Sequence, residues 1–270
     1  MAKDSKSAKA AREAAAQARA EANAAERSRE RKVRLIGGIV VVLVMGSLLA
    51  IPLMSGKNKS TGTNSSAALP KGVTSETFGV KVGPAWTAAN ADKIPMLQIW
   101  EDFQCPACGA MEKASGATIL QLADEGKVRL EWRPTLFLDE KLSADNTANG
   151  NPQSSLRATN AFGCAVDQGF AEKFHAALFA AQPSEGKGYS TADFIAVAQA
   201  AGMTDPALTK FKECEAAKSY NGWANNSYAA FQKDGISSTP DGILNGTELP
   251  SQTLFTPDAI TKAIADATKQ

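Results

Sequence analysis

Two cysteines separated by two residues, Cys105-Pro106-Ala107-Cys108, are the most chemically pointed feature of this 270-residue sequence. An apolar run precedes the motif and helical spacing follows it, which puts Cys105 at a helix N-cap, Pro106 at the first helical position and Cys108 one turn on. Proline's missing N–H costs nothing there. The sulfur before it faces unpaired backbone N–H groups and the positive end of the helix dipole, so a thiolate is stabilised. Cysteines so placed have pKa values from about 7 down to about 3.5, against about 8.5 for a free thiol. Such a pair can attack a partner's disulfide or accept electrons from a partner's dithiol, through a mixed disulfide on the first sulfur.

Two other uses of the motif are weaker. A zinc site would want a second Cys/His pair, but the remaining candidates are Cys164, Cys214 and the sole histidine, His175. Haem attachment would need His after the second Cys, where Gly109 stands. No metal and no cofactor is expected. His175, flanked by Phe174 and Ala176 in a helical stretch, is expected to be a packing residue, and Trp100 and Trp132 to be core.

Elements must position the cysteines. Residues 96–103 and the start of 128–138 read as strands, and 106–125 between them as a helix. Residues 154–181, 192–201 and 206–233 have helical spacing, with no strand signal among them. A short strand at 242–244 is closed by Asn245-Gly246, a strong hairpin pair, with a return at 247–250. Thr256 and Pro257 then open a last helix that reaches about Lys269. The expected class is an α/β sheet domain with an inserted helical subdomain at about residues 140–233. Arg133-Pro134 is expected at an edge or bend.

Upstream, residues 35–54 carry no charge and, as a helix, would span the roughly 30 Å hydrocarbon core of a bilayer. Arg27, Arg29, Arg31, Lys32 and Arg34 precede the run and only Lys57 and Lys59 follow it closely, which places the N-terminus in the cytoplasm. A cleaved signal peptide is the alternative, but the 34-residue leader and the lack of a small-residue cleavage site favour a single-pass signal-anchor. Residues 1–34 form a basic Ala-rich cytoplasmic head, 55–70 a flexible linker, and 71–270 an extracytoplasmic domain. The head holds ten Lys/Arg against five Asp/Glu, so with a net charge of +1 for the whole chain the body is mildly acidic. Together with 7% aromatic content this excludes the body as a nucleic-acid surface.

Outside the cell two otherwise unassigned cysteines tend to pair, so a structural disulfide between Cys164 and Cys214 is expected. The closed loop would contribute about 4 kcal/mol in the loop-entropy model. Buried thiols or a second redox couple are the alternatives.

The stretches W-E-D-F-Q-C-P-A-C (100–108), F-H-A-A-L-F-A-A-Q (174–182), Y-S-T-A-D-F (189–194) and G-I-S-S-T-P-D-G-I-L-N-G (235–246) lie in order along the domain. With them the chain resembles the DsbA-like thiol-disulfide oxidoreductases of thioredoxin fold, in a membrane-anchored bacterial form, over about residues 72–268. The resemblance implies that Pro240 is cis beside the Cys pair and that Thr239 offers backbone to an extended substrate. It implies disulfide formation in reduced or misbridged exported proteins, with a membrane redox partner to reoxidise Cys105 and Cys108. The alternatives are a reductase or isomerase, and a docking protein without catalysis. Relatives often carry a carboxylate six residues before the first Cys. Here that position is Ile99, with Glu101 and Asp102 nearer the motif, and Asp241 after the proline is expected to add negative charge and disfavour the thiolate.

Overall fold

The computed structural model describes residues 66–269. The expected head at 1–34, the span at 35–54 and most of the linker lie outside them. Among the described residues, no helix is long and apolar enough to cross a membrane. Leu69 already packs against the core and Pro70 is buried, so ordered packing begins just before the expected end of the linker.

Five strands form one sheet in the order β1-β3-β2-β4-β5: β1 Val80–Val82, β2 Met96–Glu101, β3 Arg129–Pro134, β4 Asp241–Leu244 and β5 Thr247–Glu248. β2 and β3 run parallel, with Ile99 opposite Trp132, and the remaining pairs are antiparallel. A parallel central pair is covered on both faces, which is why β2 and β3 are buried along nearly all their length. One consequence is a buried Glu131, whose two carboxylate oxygens accept from Gln98 Nε2 and Thr77 Oγ1, 2.6 Å each. β1 is too short for its alternation to be told from loop, and the sequence reading missed it.

The helix after β2 has three parts: α1 (Pro106–Met111), a π-helical turn (Glu112–Gly116) and α2 (Ala117–Asp124). Seven helices lie between β3 and β4: α3 (Phe137–Lys141), α4 (Ser143–Ala148), α5 (Ser154–Asp167), α6 (Ala171–Ala180), α7 (Thr191–Ala200), α8 (Ala207–Ala216) and α9 (Asn221–Lys233). The run expected as one helix over 154–181 is two, because Phe170 N–H bonds Ala165 O and Gly169 N–H bonds Val166 O, a Schellman-type close. A similar close ends α8, where Ser219 N–H returns to Cys214 O and Lys218 takes a φ of 54°. No glycine marks that break, so helical spacing ran through it. A disulfide joins Cys164 of α5 to Cys214 of α8.

Asn245 and Gly246, with φ of 49° and 81°, turn β4 into β5. The Asn245 side chain also accepts from Met96 N–H at 2.9 Å, pinning the hairpin to the start of β2. The chain closes with α10 (Ser251–Leu254) and α11 (Pro257–Ala267). Thr256 is the N-cap of α11, but its hydroxyl donates back to Gln252 O instead of capping.

Arg133-Pro134 corrects the expectation of an edge. β3 lies inside the sheet, and its last residue pairs with Glu101 beyond the reach of β1, where a missing N–H breaks no ladder with that strand. The Arg133 guanidinium lies 3.9 Å over the Trp100 ring, with its Nε donating to Thr77 O and an Nη to Asp234.

Candidate active site

β2 ends at Glu101, and four residues later the chain enters α1 with Cys105 as its N-cap, in extended backbone. The connecting turn is fixed by Asp102, a fully buried carboxyl. It accepts from Gln104 N–H and Leu138 N–H, both at 2.8 Å, and from the Ser155 hydroxyl at 2.7 Å. Burial raises its pKa to about 7 against those bonds, which pull the other way. Asp139 does a parallel job, accepting from Ser155 N–H and Leu156 N–H to cap the start of α5, whose own N-cap residue supplies no side-chain bond.

From the opposite side, Gln182 Nε2 donates to the carbonyls of Phe103 and Cys105, 2.9 Å each. The Tyr189 hydroxyl lies 3.2 Å from the same Phe103 carbonyl. A Cβ on Gly109 would collide with Gln182 Oε1, so a side chain there would push the clamp away. Both Gln182 and Tyr189 belong to stretches that carried the sequence resemblance, yet neither was given a role there. A glutamine is not a chemical signal, and its target carbonyls are 77 and 79 residues away.

Cys105 Sγ lies 3.4 Å from the carbonyl of Thr239, and the Thr239-Pro240 bond is cis. Thus four residues expected at the site, Cys105, Cys108, Thr239 and Pro240, meet where the start of α1 approaches the start of β4. Cys105 retains a small exposure of 7%, and Cys108 has none. Their chemistry divides accordingly. The Cys105 thiol is lowered to about 6, first by the Cys108 thiol donating to it, against its own burial, then by Thr239 and the N–H groups of Cys108 and Ala107. Burial drives Cys108 well above the ordinary thiol range, and the charges of Cys105 and Glu101 add to that. One sulfur is therefore an anion at neutral pH while its neighbour keeps its proton.

Glu101 lies behind the pair, two residues nearer the motif than the position where a carboxylate was expected. Burial raises it to about 8, and Cys105 also pushes it upward. Its Oε2 is 3.0 Å from His175 Nε2. His175 does pack, stacked on Trp132 with ring centroids 3.8 Å apart, but it also holds this carboxyl. Burial depresses it to about 4, so the ring is neutral and the contact is a hydrogen bond. Glu112, raised to about 8 by burial and by Glu101, completes the group. The expected charge from Asp241 is not what acts on the thiols. Asp241 pairs with Trp100 across β4 and β2, is itself raised by burial and Glu248, and the carboxylate coupled to Cys105 is Glu101.

A family model described as thioredoxin matches residues 89–266. No curated protein matches the sequence. Among solved structures, the chain is similar to the reduced form of the disulfide bond oxidoreductase DsbG from Mycobacterium tuberculosis, at 27% identity and a TM-score of 0.57 over 71% of this chain and 88% of that one. It is similar to oxidised DsbA from the same organism at 28% identity and 0.56, over 71% and 93%. At 22% identity, where likeness speaks for fold alone, MdbA of Actinomyces oris gives 0.61 over 77% and 96%. The family match spans more than half of the sequence and contains both cysteines of the motif. The chain belongs to the thioredoxin family and, within it, is a protein disulfide oxidoreductase.

Proposed function

We propose that this oxidoreductase works as an oxidant, forming disulfides in reduced or misbridged exported proteins. The observation that carries the reading is the split between the two sulfurs, with Cys105 held as thiolate and Cys108 buried with its proton. A stabilised thiolate favours the reduced form of the pair, and a pair that prefers to be reduced takes electrons from others.

In the proposed cycle Cys105 and Cys108 begin as a disulfide. A substrate thiolate attacks Cys105 Sγ, the bond between the two cysteines breaks, and Cys108 leaves as thiolate and takes up a proton. The substrate's second thiol loses its proton and attacks the substrate sulfur of the mixed disulfide. Cys105 departs as the stabilised thiolate, and the substrate has lost two electrons to the Cys pair. The backbone at Thr239 and Pro240 receives the substrate beside Cys105, whereas Pro106 and Ala107 set the start of α1. Glu101, beneath the pair, is placed to exchange the proton that Cys108 gains and loses.

The uncharged run at 35–54, with its basic leading flank, supports an anchor in the cell membrane that leaves the domain outside. A membrane redox partner would then return the pair to its disulfide. The deciding measurement is the equilibrium of the Cys105–Cys108 couple with glutathione. An oxidant sits toward the high end of the roughly 150 mV that separates strong oxidants from thioredoxin-like reductants. A value at the low end would make the chain a reductase and reject this reading.

A further inference from the structure

Behind α1, three side chains from three elements converge: Glu101 at the end of β2, Glu112 at the start of the π-helical turn, and His175 in α6. His175 Nε2 is 3.0 Å from Glu101 Oε2, and its Nδ1 is 3.9 Å from Glu112 Oε2. One donor atom from each lies within 4.8 Å of the others. Glu101 is 2% exposed, yet its Oε1 has no hydrogen-bond donor. Among the described residues neither carboxyl is ion-paired with a lysine or arginine; each faces the imidazole and the other carboxyl. Two carboxyls buried side by side need a positive species between them, either a shared proton or a cation.

The donor set discriminates between cations. Imidazole with carboxylates suits zinc and its first-row neighbours, whereas calcium and magnesium want six or more oxygen ligands. Bonds of about 2.1 Å in a tetrahedron place ligand atoms about 3.4 Å apart, closer than the 4.8 Å within which the three donor atoms lie here, so binding would draw them together around one ring nitrogen. The ring is held in place by its stack on Trp132. The site also has an approach: a cavity of about 590 Å³ is lined by Glu112, His175, Gly109, Gly116 and Trp132. The π-helical turn that begins at Glu112 is a form of backbone often found at functional sites.

We propose that Glu101, Glu112 and His175 bind a divalent first-row metal ion, zinc being the best fit, through three protein ligands with a further position open to the cavity. The site uses neither sulfur, and it shares Glu101 with the proton exchange proposed above, which would run in the metal-free chain. Its positive charge would lie behind the Cys pair.

The test must keep thiolates from competing, so it uses the full chain without an affinity tag and with Cys105 and Cys108 oxidised to a disulfide. His175 is the sole histidine, which makes its ring signals in NMR a direct reporter. Titration with zinc should bind one ion per chain, move those signals, and leave them unmoved by calcium. Glu112→Gln, checked for an unchanged circular dichroism spectrum, should weaken zinc binding at least tenfold while the wild-type titration stands without it. The proposal falls if the oxidised wild type binds no stoichiometric zinc, if zinc leaves the His175 signals in place, or if Glu112→Gln binds as tightly. None of these results depends on the direction in which the Cys pair carries electrons.

Discussion

The carbonyl oxygen of Cys105 accepts a 2.9 Å hydrogen bond from Nε2 of Gln182, a residue beyond the end of α6 and 77 positions along the chain. A helical insertion thereby holds the backbone of the nucleophilic sulfur, and the same amide also holds Phe103. Gly109 leaves room for it.

Gln182→Ala removes the donor from both carbonyls and should cost about 1–2 kcal/mol. Gly109→Ala, whose Cβ would meet Gln182 Oε1, should cost a similar amount by displacing the same side chain. The two share one mechanism, so the double variant should be clearly less destabilised than the sum of the singles. Denaturant unfolding of all four proteins measures this, and full additivity would show that Gly109 acts elsewhere.

Cys108→Ala removes the first of the groups that lower Cys105 from its ordinary range to about 6. The remaining thiol should titrate higher. If it rises by about two units, the thiolate fraction at pH 7 falls roughly tenfold. Iodoacetamide alkylation followed across pH reads the change, and an unshifted midpoint would remove Cys108 as the stabilising donor.

The reduced and oxidised proteins should differ in how stability follows pH. Cys105 has a folded-state pKa of about 6, below its unfolded value near 9, so it contributes stability to the reduced form that is fully present above about 9. That contribution is lost as pH falls toward and through 6. The oxidised form has no such thiol. Measured by urea unfolding, the gap between reduced and oxidised protein should move in favour of the reduced form by a few kcal/mol between pH 5 and pH 9. A constant gap would mean that Cys105 titrates as a free thiol.

Breaking the Cys164–Cys214 bridge with the Cys164→Ala, Cys214→Ala double change should cost about 2–4 kcal/mol. The bond ties α5 to α8, and Cys164 is fully buried. The alkylation rate of reduced Cys105 should be unaltered. A large fall in that rate would mean that the bridge takes part in the redox chemistry.

What could be read from the sequence follows from the range of the interactions involved. The helix start at Cys105, the hairpin at Asn245-Gly246 and the α11 start at Thr256-Pro257 are set by neighbours in the chain, and each was placed from residue types alone. The division of 154–181 into α5 and α6 was hidden because helical spacing survives a single left-handed turn at Gly169. Arg133 was misread as an edge residue because its partners, Trp100, Thr77 and Asp234, are 33 to 101 positions away or on the next strand. His175 was rightly a packing residue, yet its hydrogen bond to Glu101 spans 74 positions and has no local trace. Relatives often carry a carboxylate at the position of residue 99, and here the buried carboxyl coupled to Cys105 is Glu101, at the last position of the strand.

The helices between β3 and β4 cannot be treated as a transplantable cassette. Gln182, Tyr189 and His175 all reach from that insertion to the strand end and turn that carry the nucleophile. Exchanging it for another family member's insertion, to borrow a different binding surface, would unmoor the sulfur unless those three contacts were rebuilt in the donor. Diversity of partner recognition in such a chain is therefore more freely drawn from the outward faces of the inserted helices than from their number or length.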